Sequence, residues 1–211
     1  MRDFLLDFDG GAPIDAVIAS AGVSQVTPGL GEVEDLEQGA ALFEVNLIGA
    51  MNMLAPVLPL MRARRSGHVA LFSSLAAFAP PPDSPSYAGS KAALLAFGLA
   101  TRALYKADGV RVSVVCPGFV DTPMTGAYRS VKPMMLSPEK AARRIRRGLE
   151  RNKAVIAFPT ALYWLARLQG LMPDPIRSAA MLRFRAYASG PGAALDVSDD
   201  GEGAGRSEAE A

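Results

Sequence analysis

The segment Gly67-His-Val-Ala-Leu-Phe-Ser-Ser74 (GHVALFSS) is a short apolar run that ends in two hydroxyl side chains. A second run, VRVSVVCPG at 110–118, ends in Pro-Gly, and a third, IDAVIASAG at 14–22, ends in small residues. Short apolar runs bounded by turn residues are typical of buried strands. Helical sequence separates these runs from one another, and AVIAFP at 154–159 is a fourth apolar run. The pattern therefore predicts an α/β fold, with a parallel sheet covered by helices on both faces.

Helical periodicity and breaker residues place the intervening helices at about 35–65, 87–107, 138–152 and from 160 to about Tyr187. Pro56 and Pro59 should bend or divide the first helix, because proline lacks an N–H and its ring crowds the preceding turn. The proline-rich stretch 76–85 and the stretch 119–137 are predicted loops. Residues 1–8 are interpreted as the end of a preceding helix.

Composition restricts the class of protein. The chain has 211 residues, half of them hydrophobic, with a net charge of +1. This suits one globular domain and gives no global reason to expect nucleic acid or an anionic membrane as a partner. A single cysteine, Cys116, excludes an intramolecular disulfide framework and agrees with a cytoplasmic location, and a single histidine, His68, argues against a metal site. The start of the chain does not resemble a secretory signal peptide. We expect an ordered domain at 1–188 and a disordered acidic tail at 189–211.

The stretch AVIAFPTALYWLARLQGLM, residues 154–172, has about the length of a membrane span, but Pro159, Arg167, Gln169 and Gly170 interrupt it. Burial in the core is the default interpretation. Two alternatives remain open for the apolar region 154–188: a lid over a lipid-like substrate, or a patch that rests on a membrane surface. The preceding run of arginines at 143–147 is interpreted as a solvated basic face.

Three chemically active residues fall in order along the chain. Ser74 ends the second strand, and Tyr87 and Lys91 lie one turn apart at the start of the next helix. A lysine ammonium close to a phenol favours the phenolate, and such a tyrosine can exchange a proton with a carbonyl or alcohol oxygen. The serine hydroxyl can orient the same oxygen. In the alternative interpretation the tyrosine packs, the lysine is solvated and the serine caps a turn.

The spacing Ser74-x12-Tyr87-x3-Lys91 resembles the signature of the short-chain dehydrogenase/reductase family. Three further stretches match family motifs in the same order: ASAG at 19–22, VNLIG at 45–49 and CPGFVDTPM at 116–124. The resemblance implies a Rossmann-like, doubly wound sheet and a nicotinamide cofactor, with NADP favoured over NAD. It also implies a small carbonyl or alcohol substrate and a homodimer or homotetramer built on helix 87–107 and the helix of Asn46.

The resemblance also implies roles for particular residues. Tyr87 is the general acid/base, Ser74 holds the substrate oxygen, Lys91 tunes Tyr87 and binds the nicotinamide ribose, and Asn46 holds a water that links Lys91 to solvent. Further cofactor contacts are expected from Ala21, Gly22, Pro117, Gly118, Val120 and Thr122. For Asn46 a purely structural role stays open, as does a turn cap for Thr122.

One family feature has no counterpart in the chain. The glycine-rich turn that places a helix N-terminus on the cofactor pyrophosphate is not found before the strand at 14–22. We therefore expect an incomplete reductase that lacks the first strands and binds cofactor poorly. Two rival functions remain: a non-catalytic binding or scaffold protein on the same fold, and a peripheral membrane protein that uses residues 154–187.

Overall fold

The structure is a computed structural model of the chain, and it describes residues 1–28, 32–182 and 187–188. The predicted disordered tail at 189–211 lies outside the described residues. Within them the strands are β1 Ala16–Ala19, β2 Gly67–Phe72, β3 Val110–Pro117, β4 Tyr128–Arg129, β5 Val155–Phe158 and β6 Tyr187–Ala188. The helices are α1 Arg2–Gly11, α2 Leu36–Phe43, α3 Gly49–Ala63, α4 Pro85–Tyr105, α5 Pro123–Gly126, α6 Pro138–Glu150, α7 Thr160–Gln169 and α8 Asp174–Leu182.

The four apolar runs that were predicted as strands form one parallel sheet in the order β1-β2-β3-β5. Ala19 pairs with Leu71, and Phe72 pairs with Val115. All four strands run in the same direction, so their carboxyl ends lie along one edge of the sheet. The predicted α/β fold with a parallel sheet is confirmed.

Helices cover both faces of this sheet. Successive side chains of a strand point to opposite faces, and the neighbours Val114 and Val115 accordingly belong to different clusters. Val114 packs in the larger core, which includes residues of α3 and α4 such as Leu54 and Leu94. Val115 packs in a smaller core with Ala141 of α6. The second face is therefore covered by α6 over β3 and β5, and in β1 Ile18 is 56% exposed.

Helix α3 corrects one part of the prediction that the prolines bend or divide the helix at 35–65, because they do not divide it. Pro56 and Pro59 both lie inside α3, which continues through them to Ala63. The irregularity falls earlier, at a π-helical turn over Glu44–Ile48, where the Gly49 N–H bonds to the Glu44 carbonyl. A π-turn inserts an extra residue into the helix and is frequent at functional sites. Asn46, one of the predicted site residues, lies in this turn and is 1% exposed.

Two further predictions differ from the structure. The stretch 119–137 contains the short helix α5 and strand β4 in place of a continuous loop. The helical prediction toward Tyr187 is wrong at its end, because α8 ends at Leu182 and Tyr187 is extended. Strand β6 pairs antiparallel with β4, and this backbone pairing has no local sequence signal.

Among the described residues, one helical stretch, Leu36–Ala63, is long and apolar enough to cross a membrane, with a mean hydropathy of 1.5. The core helix of a soluble protein passes the same test, and this stretch contributes Leu42, Leu54 and Met61 to the buried residues. The membrane-like stretch 154–172 is not one helix, since β5 and α7 divide it at Pro159.

Candidate active site

The predicted site residues gather at the carboxyl edge of the sheet. Gly22 follows β1, Ser74 follows β2 and Pro117 ends β3, and the parallel register places these three strand ends side by side. Helix α4 begins beside them and carries Tyr87 and Lys91 in its first two turns. Pro85 stands at the first helical position, where its fixed φ suits the helix and its missing N–H is not needed.

Lys91 is the most deeply buried charged group of the site. It is 5% exposed, and its Nζ donates a hydrogen bond to the carbonyl oxygen of Phe72 at 2.9 Å. The same Nζ lies 5.7 Å from the centre of the Tyr87 ring. The single bond leaves two of its three donors without a partner among the described residues. Burial lowers the pKa of Lys91 to about 8, so the ammonium form dominates at pH 7.

The pKa of Tyr87 departs from the expectation that Lys91 lowers it. Burial raises the pKa of Tyr87 above its ordinary value of 10, and a hydrogen bond from the Ser74 hydroxyl opposes this rise. Lys91 Nζ lies 5.7 Å from the centre of the ring, and its hydrogen bond goes to the Phe72 carbonyl. The phenol is thus protonated at neutral pH, the state that a general acid needs.

The two adjacent serines after β2 have different surroundings. Ser74 caps the turn Leu75–Ala77, and its Oγ accepts the N–H of Ala76 at 3.1 Å. Its own proton therefore remains for another acceptor. Ser73 is 4% exposed and its Oγ donates to the Lys91 carbonyl at 2.7 Å, which fixes α4 on the strand end. Ser74 is the serine whose hydroxyl hydrogen-bonds to the Tyr87 phenol.

Asn46 joins the exit of β1 to α4. Its Oδ1 accepts the Val23 N–H at 2.8 Å, and its Nδ2 donates to the Val23 carbonyl at 3.0 Å and to Ser90 Oγ at 3.1 Å. Ser90 Oγ in turn donates to the Tyr87 carbonyl at 2.8 Å. Both amide protons are used, so the side chain of Asn46 holds the site together through protein partners.

Gly22 keeps a space open between two of these side chains. A β-carbon at Gly22 would lie 3.0 Å from Asn46 Oδ1 and 3.0 Å from Lys91 Nζ. Contacts that short require a neighbour to move, and both neighbours are buried. The absence of a side chain at position 22 is therefore necessary for the observed positions of the amide and the ammonium.

The segment that begins with Pro117 and Gly118, at the end of β3, also borders the site. The Gly118 N–H donates to the Phe158 carbonyl at 2.7 Å, and Val120 bridges to Leu136. Thr122 caps α5, with its Oγ1 3.4 Å from the Thr125 N–H and 3.2 Å from the Thr125 hydroxyl. The alternative in which Thr122 caps a turn is thus observed. Both contacts are long, and the hydroxyl is partly exposed.

Helix α7 closes one side of this edge. Its Leu162 would lie 3.3 Å from a β-carbon at Gly118, as would Leu75 of the turn after Ser74. Tyr163 meets the ring of Phe78 edge to face, with ring centres 5.3 Å apart, and the Arg167 guanidinium lies 5.6 Å from the centre of the same ring. An apolar wall therefore stands beside Ser74.

Glu34 is a supporting residue that the sequence motifs do not indicate. It is 6% exposed, and its carboxylate binds the backbone and side chain of Ser86, the residue before Tyr87. The sequence signal nearest to it is the helix cap Asp35, whose carboxylate accepts the N–H groups of Glu37 and Gln38. Nothing in that signal points to a contact with α4, 52 residues away.

Known proteins of one family are similar to this chain. The short chain dehydrogenase family matches residues 8–133, more than half of the chain. The chain belongs to the short chain dehydrogenase family. An uncharacterized oxidoreductase of Myxococcus xanthus is 32% identical over 180 residues, which cover 85% of this chain and 70% of that protein. An uncharacterized oxidoreductase of Mycobacterium tuberculosis is 31% identical over 76% of this chain and 63% of its own length.

A solved short chain dehydrogenase from Burkholderia cenocepacia, in complex with NADP, has 28% identity and a TM-score of 0.69. The match covers 87% of this chain and 76% of that one. Other curated relatives of the family are matched over less than half of their own length, for example 47% of a Staphylococcus saprophyticus oxidoreductase. The Rossmann-like fold assignment stands on these matches together with the observed sheet.

Proposed function

We propose that this protein interconverts a carbonyl and an alcohol by hydride transfer with a nicotinamide cofactor, and that Tyr87 is its general acid/base. The observation that carries the proposal is the surroundings of the Tyr87 phenol. The Ser74 hydroxyl hydrogen-bonds to it, and the Lys91 ammonium lies 5.7 Å from the centre of its ring and bonds to the Phe72 carbonyl through one of its three donors. The membership of the family and the NADP complex of the Burkholderia relative support the same conclusion.

The residues present fit the nicotinamide end of the cofactor. Because Gly22 has no β-carbon, which would lie 3.0 Å from the Lys91 ammonium, this ammonium keeps its position and would donate to the ribose hydroxyls. The backbone of the Pro117–Val120 segment and the half-buried Thr122 would hold the nicotinamide ring and its carboxamide. NADP is favoured over NAD in this proposal, because the solved Burkholderia relative is in complex with NADP.

When bound, the reduced nicotinamide supplies a hydride to the carbonyl carbon. The Tyr87 phenol gives its proton to the carbonyl oxygen, so that a new O–H bond forms and a phenolate remains. The Ser74 hydroxyl donates a hydrogen bond to the same oxygen as negative charge develops on it. The Lys91 ammonium stabilises the phenolate by its charge. In the oxidative direction the phenolate takes the alcohol proton back.

Apolar surroundings at the site suggest the class of substrate. Leu75, Phe78, Leu162 and Tyr163 line the side beside Ser74, and all are buried or half-buried. A ketone or aldehyde with an apolar substituent, including a lipid-like chain, would bury that substituent against this wall. In this proposal α7 acts as a lid, one of the two alternatives that the sequence leaves open for the region 154–188.

We also propose a homodimer or homotetramer, with α4 and the Asn46 helix at the interface. Apolar side chains on these helices are exposed in the single chain: Leu104 at 72%, Val45 at 41%, and Met51 and Leu99 at 38% each. Light scattering of the protein in solution tests this. A monomeric mass at concentrations above those of the activity assay would contradict it.

The mechanism is tested by NAD(P)H oxidation with a panel of ketones and aldehydes. Tyr87→Phe removes the proton and should lower kcat by at least about a hundredfold, the scale of general acid catalysis. Tyr105→Phe on the same helix is the matched control and should keep full activity. Full turnover by Tyr87→Phe would contradict the proposed mechanism. Coenzyme binding without turnover of any carbonyl, by the wild type and Tyr87→Phe alike, would favour the binding-protein alternative.

A further inference from the structure

A basic cavity that none of the predicted catalytic residues lines is bordered by the edge strand β5 and by helices α6 and α7. Its volume is about 400 Å³. Four cationic side chains contribute to its lining, together with Tyr163 and Trp164 of α7: Arg144, Arg147, Arg151 and Lys153. No acidic residue is among those that line it. The cavity thus combines positive charge with aromatic rings.

The four cations are not neutralised within the described part of the chain. The ion pairs of this region join other residues, Arg146 to Glu150 and Arg177 to Asp174. Burial does not explain their clustering either, because Arg144, Arg147, Arg151 and Lys153 are all exposed. Cations that gather without carboxylate partners repel one another, and an anionic ligand removes that repulsion.

The outer face of α7 next to the cavity is apolar. Trp164 and Leu168 lie one turn apart in α7, and Leu171 follows in the turn after its end. They are 57%, 54% and 82% exposed, and Leu165 of α7 is 50% exposed. The buried residues of the helix are Ala166 and Gln169, so its packing onto the domain uses the opposite side. A contiguous exposed apolar patch on a protein surface marks an interaction site.

Trp164 belongs to both features, since it lines the basic cavity and begins the apolar row. Exposed cations next to exposed apolar side chains, with one aromatic residue shared by the two groups, are typical of a protein surface that lies on a lipid bilayer. We propose that the protein binds the surface of anionic membranes, with lipid phosphates in the cavity of Arg144, Arg147, Arg151 and Lys153 and with Trp164, Leu165, Leu168 and Leu171 among the acyl chains.

A second copy of the chain fits this surface less well. In a two-fold contact the same patch meets itself, so the cationic cavities of two copies would be brought toward each other. Repulsion between them opposes such a dimer, whereas a bilayer that contains anionic lipids supplies both the charge and the apolar phase. The charge complementarity therefore selects the membrane as the occupant.

The chain contains one tryptophan, so Trp164 reports on this surface without labelling. The full chain is mixed with vesicles of phosphatidylcholine that contain 30% phosphatidylglycerol, and with vesicles of phosphatidylcholine alone. We expect a blue shift of the emission and quenching by brominated acyl chains with the anionic vesicles only. We also expect co-flotation with them that weakens at high salt, because salt screens the cations.

Two variants separate the contributions of charge and apolar surface. Arg144→Gln/Arg147→Gln should lower the apparent affinity for the anionic vesicles by roughly tenfold or more, from two lost basic contacts. Leu168→Ser/Leu171→Ser should abolish quenching by the brominated chains. The matched controls are Arg2→Gln/Lys106→Gln, which removes two exposed cations elsewhere, and Leu36→Ser, which removes a leucine that is 71% exposed. Both controls should bind as the wild type does.

Three results would overturn the proposal. One is a folded protein, by circular dichroism, that neither floats with the anionic vesicles nor changes its emission. Another is equal binding to neutral and anionic vesicles. The third is a change in oligomeric mass on Leu168→Ser/Leu171→Ser without vesicle binding by the wild type, which would assign the patch to a second copy. None of these measurements depends on the catalytic activity.

Discussion

The carboxylate of Glu34 accepts two hydrogen bonds from Ser86, one from its backbone N–H at 3.0 Å and one from its hydroxyl at 2.7 Å. Ser86 is the second residue of α4 and immediately precedes Tyr87. A negative group at a helix N-terminus satisfies a free N–H and interacts favourably with the helix dipole. Ser84, the residue before the helix, makes no side-chain cap bond. Glu34 therefore supplies the cap from the loop that follows β1.

Glu34→Ala should lower the free energy of unfolding by about 2–3 kcal/mol, because it removes a charge-assisted pair of hydrogen bonds from a buried position. Glu34→Gln keeps an acceptor and should lose less. Urea unfolding followed by circular dichroism measures the differences. Glu37→Ala, at an exposed acidic residue of α2, is the control and should change stability by less than about 0.5 kcal/mol. Equal losses for Glu34→Ala and Glu37→Ala would contradict the assignment.

Gly22→Ala should displace Lys91 or Asn46, because the new β-carbon would lie 3.0 Å from Lys91 Nζ and from Asn46 Oδ1. We expect a loss of stability of about 1–2 kcal/mol from overpacking, and a fall in kcat/KM of about tenfold or more from misplaced groups. Gly10→Ala is the matched control, since nothing lies within 4 Å of its β-carbon position. If Gly22→Ala has the same unfolding midpoint and the same kcat/KM as the wild type, the absence of a side chain at position 22 is not needed.

The rate of carbonyl reduction should fall above about pH 8, because burial lowers the pKa of Lys91 to about 8 and its deprotonation removes the charge that stabilises the phenolate. The raised pKa of Tyr87 places the titration of the phenol at higher pH. A pH profile of kcat/KM measures this. Lys91→Arg, which keeps its charge, should move the fall to higher pH. A fall that stays near pH 8 in Lys91→Arg would assign it to another group.

The lowered pKa of Lys91 also predicts the direction in which the stability of the protein changes with pH. Lys91 titrates near pH 10.5 when unfolded and near pH 8 when folded. Between these values the unfolded state binds more protons, so the contribution of Lys91 to stability increases as the pH rises through this window. Urea unfolding at pH 8 and pH 10, compared between wild type and Lys91→Met, isolates it. The variant should lack this increase, and an identical pH dependence in both proteins would be the contradictory result.

The contribution of His68 to the stability of the protein should be lost in acid. Burial, together with the positive charges of Arg111 and Arg102, lowers the pKa of His68 to about 4, and its Nε2 lies 3.0 Å from Ser113 Oγ. The unfolded histidine takes up a proton near pH 6.5, so its contribution to stability is full above that pH and is lost as the pH falls toward 4. His68 is the only histidine, so one ring signal in an NMR titration gives its pKa directly. A value near 6.5 in the folded protein would contradict the prediction.

The sequence predicted the four strands of the main sheet and the residues at their ends well, because buried parallel strands are continuous apolar runs that turn residues delimit. It was less informative about irregular backbone. The π-turn at Glu44–Ile48 has no local residue signature. The sequence predicted the irregularity at the prolines of α3 instead. Side chains that pack across α3 hold Pro56 and Pro59 inside a continuous helix, since Leu54, Val57 and Met61 are buried between it and the sheet.

By itself, the sequence determined which chemical groups the site contains, since residue type and order along the chain already indicate Ser74, Tyr87 and Lys91. Only the tertiary structure decided their protonation and their partners. Burial raises the pKa of Tyr87 and lowers that of Lys91, and it depends on residues distant in sequence. The contact of Glu34 with Ser86, the roles of the adjacent serines, and the meeting of the basic cavity with the apolar face of α7 likewise arise from distances in space. Periodicity and spacing along a chain carry no record of such distances.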